Sequence, residues 1–106
     1  MTSEERLQIE TRAVELMRTV FDPEIPVDVY SLGLIYRIEV TDEGVLQVDM
    51  TLTAPNCPAA DFLVEDARLK LETIDGVKSV EINIVFEPEW TKDMMSEEAK
   101  LDLGFL

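Results

Sequence analysis

Histidine is absent from this chain, and cysteine occurs once, at position 57. Soft-metal, redox or nucleophilic chemistry therefore has to pass through a single sulfur. One cysteine also excludes an internal disulfide framework. Basic residues are scarce: nine Lys and Arg stand against 23 Asp and Glu, a formal net charge of −14. Nucleic acids and anionic membranes are gripped by cationic side chains, so neither is an expected partner. No apolar run approaches the roughly 20 residues of a membrane span. The start, Met1-Thr-Ser-Glu-Glu-Arg6, is acidic and polar rather than a basic segment leading into an apolar one, so it does not read as a secretory signal. Together these exclusions point to a cytoplasmic, soluble protein, with residues 1–106 forming one domain. The acid excess serves solubility and, functionally, attracts cations or a basic protein partner.

What is present reads as a regular alternation of elements. Thr2 or Ser3 caps a first helix with Glu4 and Glu5 in its first turn, and a stripe of Leu7, Glu10, Val14, Met17 and Phe21, widened by Ala13, Leu16 and Val20, carries it to about Phe21. Asp22-Pro23 ends it, because a residue before proline avoids the helical region. Residues 22–31 form a two-proline extended loop, long for so small a domain, and such loops are often functional. Leu34, Tyr36, Ile38 and Val40 alternate with Ile35, Arg37 and Glu39 as a first strand. Thr41-Asp-Glu-Gly44 is a hairpin turn, and Leu46, Val48, Met50 and Leu52 form the inward face of a second strand. A second helix follows Cys57-Pro58, with Ala60, Leu63, Val64, Ala67, Leu71 and Ile74 at helical spacing, and stops at Asp75-Gly76. Val77 to Phe86 is a third strand, and Ser96-Glu-Glu-Ala99 opens a short helix ending near Gly104. The order α-β-β-α-β plus a short C-terminal helix predicts an α+β fold, with helices on one face of a mixed sheet. The third strand, returning after a helix, should run parallel to a neighbour.

Two segments carry candidate chemistry. Cys57 stands where the second strand pattern ends and a helix pattern begins, and Pro58 suits the first helical position. Cys57 would then be an N-cap, beside unpaired N–H groups and the positive end of the helix dipole. The other segment is the loop bearing Asp22 and Glu24. In an antiparallel hairpin the start of one strand lies beside the end of the other, so Asp22, Glu24, Thr53 and Cys57 are expected at one end of the sheet.

The charges there decide what the sulfur is suited to. A helix dipole favours an anion by about 0.3–1 kcal/mol. A carboxylate some 6 Å away, at an effective dielectric near 40, opposes it by about 1.4 kcal/mol. Asp22, Glu24 or Asp61 therefore cancels the dipole's help, and no histidine is available as base. The same negative field favours a bound cation, which itself drives thiol deprotonation. Each residue also has a plainer reading: Cys57 as a small buried group, Asp22 and Glu24 as loop caps, Thr51 and Thr53 as ordinary strand residues. Trp90 reads as a cover over an apolar edge or, if exposed, as a partner anchor. Met94 and Met95 read as packing.

The runs Asp22-Pro-Glu-Ile-Pro26, Tyr30-Ser-Leu-Gly-Leu-Ile-Tyr36, Met50-Thr-Leu-Thr-Ala-Pro-Asn-Cys-Pro58 and Trp90-Thr-Lys-Asp-Met-Met-Ser-Glu-Glu-Ala99 resemble the small iron–sulfur cluster assembly domains of the SufT type. That wider family also includes PaaD of the phenylacetate oxygenase system. The resemblance spans the chain from the first helix to Gly104. It implies an α+β domain that matures iron–sulfur proteins rather than a demonstrated catalyst. Its site maps onto Asp22, Glu24, Thr53 and Cys57, with Ile25 between the prolines and Thr51 and Asn56 shaping the surroundings. The cysteine-rich C-terminal metal site of PaaD-type members is missing here, which moves the chain toward SufT. Asn56 stands where the family often has glycine; asparagine tolerates left-handed backbone better than most residues.

Three readings of function follow. In the first, Cys57 gives one ligand to iron or a labile iron–sulfur cluster, assisted by Asp22 and Glu24. A cluster needs about four thiolate-type ligands, so the others come from a second subunit, a small thiol or a client apoprotein. In the second, the chain is a metal-free adaptor that recruits iron–sulfur assembly proteins and clients through its acidic face, the Pro-Glu loop and Trp90. In the third, Cys57 is an enzyme nucleophile helped by Thr53.

Overall fold

The computed structural model describes residues 1–22, 25–53 and 60–104. The first helix, α1 (Ser3–Met17), starts on a capping box. The Glu5 N–H donates to Thr2 Oγ1, and the Thr2 N–H donates in return to Glu5 Oε1. It stops four residues short of the expected Phe21: the Thr19 and Val20 N–H groups turn to the carbonyls three residues back, and the Val20 carbonyl accepts the Val29 N–H at 2.8 Å. The freed helix-end groups are satisfied by side chains, one near and one distant. Thr19 Oγ1 donates to Leu16 O at 2.6 Å, and Lys70 Nζ donates to Thr19 O at 2.9 Å. The buried stripe is also turned from the expected one, to Ile9, Ala13 and Met17, leaving Leu7 and Phe21 in solvent. Glu10, a charged residue within the expected apolar stripe, accepts the Val40 N–H and so caps the end of the first strand.

Three strands form one sheet in the order β1 (Ile35–Val40), β2 (Val45–Met50), β3 (Ser79–Ile84). The β1–β2 pair is antiparallel through the Thr41–Gly44 turn, where Gly44 has φ +87° and the Gly44 N–H donates to Thr41 O. The β2–β3 pair is parallel, as a helical crossover requires. Register stacks the core face in three rungs: Val40, Leu46 and Val80; Ile38, Val48 and Ile82; Ile35, Met50 and Ile84. Burying a side chain such as Leu46, Val48 or Met50 contributes about 1.5–3 kcal/mol before entropy is counted.

One expectation for β1 fails. A bulge between Ile35 and Arg37 inserts Tyr36 as an extra residue, so Ile35 faces Met50 while Arg37 faces Asp49. The simple alternation of Leu34 and Tyr36 with Ile38 is broken there. Tyr36 turns instead to the C-terminal segment, its hydroxyl 2.9 Å from Pro88 O and 3.4 Å from Met94 Sδ.

The second helix, α2 (Ala60–Leu71), buries Leu63, Ala67 and Leu71, and it packs on β3 and α1 while α1 packs on β1. Both helices thus cover one face of the sheet. Its last turn tightens through Ile74, whose N–H donates to Leu71 O, and Gly76 follows at φ +91°. After β3 the chain passes Trp90 and a short 3-10 turn to α3 (Glu97–Asp102), capped by Ser96 Oγ on the Ala99 N–H.

Candidate functional site

The loop after α1 is built as a continuation of the sheet. The Val29 N–H donates to Val20 O, the Leu34 N–H to Val29 O, and the Thr51 N–H to Leu34 O at 2.8 Å. The series continues on the far side of β2, where the Val85 N–H donates to Met50 O. Val20, Val29, Leu34, Met50 and Thr51 are all buried. The start of β1 thus lies beside the end of β2, and the 22–31 loop is joined to that end through Val29 and Leu34.

Within this frame Asp22 is buried, 6% exposed, and its Oδ1 accepts the Ile25 N–H at 3.3 Å. That bond ties the carboxylate to its own loop, the loop-ordering role that the sequence offered beside the metal-assisting one. A bridge between Phe21 and Asp28 closes the loop, with the Asp28 carboxylate accepting the Ser31 N–H. Ile25 packs against the core and Thr51 is 1% exposed, while Thr53 is half-buried. Glu24, Asn56 and Cys57 lie outside the described residues, as does the expected cap formed by Cys57 and Pro58.

A contact that the sequence did not single out locks the loop from the C-terminal side. Gly33 has φ +80°, and a Cβ there would sit 2.3 Å from Met94 O. Only glycine permits that approach. Beside it, Trp90 Nε1 donates to Leu32 O at 2.7 Å and the Ser96 N–H donates to Ser31 O at 2.9 Å. Trp90 is half-buried against the core, so its polar handle is spent inside the chain and the cover reading describes its packing. The signal for this clasp was the glycine inside an apolar, strand-like run, a mark of close backbone approach.

The polar side chains of the opposite face of the sheet bond to one another. Arg37 Nε and Nη2 meet the two Asp49 oxygens at 2.9 and 3.4 Å, and Nη1 reaches Glu39 at 2.9 Å. Asn83 Nδ2 donates to Asp49 Oδ1, and Gln47 Nε2 donates to Glu81. The Arg37 hydrogen bonds, aided by Asn83, hold the Asp49 carboxyl below its ordinary range, and the Asp49 contact raises Arg37. The Arg37 guanidinium is thus committed to its own carboxylates rather than to an anionic ligand.

Among the described residues, no three His, Cys, Asp or Glu side chains gather as a metal-holding group. The donor set of one sulfur is short of the roughly four thiolate-type ligands of a cluster. No helix among the described residues is long and apolar enough to cross a membrane.

A mixed three-stranded sheet covered on one face by two helices, with the 22–31 loop joined to one end of it, defines a small α+β domain of distinctive plan. Residues 10–84 match the family described as iron–sulfur cluster assembly protein, and the chain belongs to that family. It is 64% identical over 102 residues to a Fe-S protein maturation auxiliary factor of Porphyromonas gingivalis, covering 96% of this chain and 97% of the relative. It is 47% identical over 85 residues to the Fe-S protein maturation auxiliary factor SufT of Staphylococcus aureus, covering 80% and 97%. The crystal structure of a domain of unknown function, DUF59, from Bacillus anthracis is similar to it throughout. The TM-score is 0.91 at 32% identity, covering 99% of this chain and 100% of that one.

Proposed function

We propose that this chain is a cytoplasmic maturation factor for iron–sulfur proteins, passing iron or a labile cluster to client apoproteins through Cys57. The observation that carries the reading is the 64% identity, over nearly the whole of both chains, to a relative named as a Fe-S protein maturation auxiliary factor. The donor set supports a transient role. One sulfur ligates incompletely, so a second copy, a small thiol or the client completes the site, and the cargo leaves with whichever partner binds it better. Glu24 and Asp22 supply negative charge that favours the cation. Under this reading Thr51, Thr53, Asn56 and Ile25 are the residues that would shape the site around the sulfur. Anaerobic reconstitution with iron and sulfide is expected to give a charge-transfer absorption that Cys57→Ala loses. If wild type and Cys57→Ala both remain colourless, direct carriage fails.

A second reading, the metal-free adaptor, is favoured by one observation: the Asp22 carboxylate is buried and already accepts the Ile25 N–H. Under it, Cys57→Ala restores client enzyme activity in a strain lacking this protein as fully as wild type does. Under the carrier reading, that strain stays deficient.

A further inference from the structure

Leu63, Ala67 and Leu71 fix the inward side of α2. At about 100° per residue, Phe62 and Leu69 project roughly 140° and 160° from the centre of that stripe, almost directly away from the core. They are 66% and 57% exposed. Seven residues apart, they lie two turns from each other along one line of the helix, the spacing of a packing seam rather than of scattered apolar residues. Acids border this seam: Asp61, Glu65 and Glu72 on one side, Asp66 on the other. Glu65 and Asp66 are partly offset by Arg68 at 3.7 Å and Lys70 at 3.3 Å, both within the helix. Asp61 and Glu72 make no ion pair among the described residues.

We infer that the outward face of α2 is a docking surface for a basic amphipathic helix of a partner protein, with Phe62 and Leu69 as anchors and the acids as its rim. Charge selects this occupant. A second copy using the same patch would set Asp61, Glu65 and Glu72 against their own counterparts, since a two-fold interface is self-complementary. An anionic membrane or nucleic acid meets a chain of net charge −14. A helix with apolar residues at i, i+4 and i+7 and lysines beside them matches both the seam and its border. This surface does not depend on the ligation proposed for Cys57.

The test uses an 18-residue peptide of leucine and lysine with leucines at helical spacing, and a scrambled peptide of equal composition. Amide shifts of the full chain are followed by NMR, and affinity is measured at 50 and 300 mM salt. Shifts concentrated on residues 60–73 are expected. Binding should weaken with salt and fall at least about tenfold in Phe62→Ser/Leu69→Ser. Glu65→Lys/Glu72→Lys should weaken it too. Because Phe62 and Leu69 are exposed, the double variant should melt as wild type does. Cys57→Ala should bind the peptide unchanged, which separates this surface from the carrier reading. Equal binding of the scrambled peptide, shifts centred elsewhere, or unchanged affinity in the double variant would overturn the assignment. So would a wild-type dimer that Phe62→Ser/Leu69→Ser dissociates, because the occupant would then be a second copy.

Discussion

The open face of the sheet and the outward face of α2 both look into solvent, yet they are finished differently. On the sheet, Arg37 binds Asp49 and Glu39, Asn83 binds Asp49, and Gln47 binds Glu81, so charges and amides answer one another across the strands. On α2, Phe62 and Leu69 stand exposed with acids beside them. The first face has its partners built in. The second leaves apolar area for something else to cover. In so acidic a chain, surface charge alone marks no site; the informative feature is the apolar seam that interrupts it.

Substitutions on each surface, and on the buried face between them, separate these roles. Met50→Ala removes a fully buried side chain from the sheet's core face and should cost about 3 kcal/mol in urea unfolding. A loss below about 1 kcal/mol would mean that the core face is not packed as described. Arg37→Ala should lower Tm by less than about half as much, because exposed ion pairs contribute modestly. That substitution leaves Asp49 and Glu39 without their shared cation. The pH dependence is specific. Asp49 is held below its unfolded pKa, so its contribution is complete above about pH 4 and is lost as pH falls through the lowered folded value. Asp49→Asn should therefore show a shallower acid decline of Tm than wild type, with the two curves converging at the acid end. Curves that remain parallel would show that the sheet face is not coupled through this carboxylate. The smallest effect is expected on α2, where Phe62→Ser/Leu69→Ser should change stability by no more than about 0.5 kcal/mol. A large loss there would make the seam part of the fold and erase the contrast.

Much of the plan was written locally. The Thr41–Gly44 turn, the inward series Leu46, Val48 and Met50, the Ser96 cap and the parallel return of β3 each follow from a short pattern, and each is found. The departures come from distant partners. α1 ends at Met17 in i→i−3 bonds, after which the Val20 carbonyl accepts the distant Val29 N–H, and the stripe with Ile9 is the side that packs on β1 and α2. The Tyr36 bulge answers to Pro88 and Met94, some 50 residues away, which no local alternation encodes. The site was legible in part. Hairpin geometry predicted Asp22, Glu24, Thr53 and Cys57 at one end of the sheet, of which Glu24 and Cys57 lie outside the described residues, while the burial of Asp22 and its bond to Ile25 depended on the folded loop. Phe62 and Leu69 were visible as two apolar residues off the helical stripe, but their exposure had no signature until Leu63, Ala67 and Leu71 fixed the inward side.

The clasp at Gly33 bears on where this domain ends. The family match closes at residue 84, whereas Trp90, Met94 and Ser96, which bind Leu32, press on Gly33 and bind Ser31, all lie beyond it. Sequence likeness and packing thus draw different boundaries. A chain trimmed to the matched residues would lose the first turns of α1, strip the cover from Leu32, and unfasten the loop that presents Asp22. A unit that keeps this loop fastened therefore includes Trp90, Met94 and Ser96.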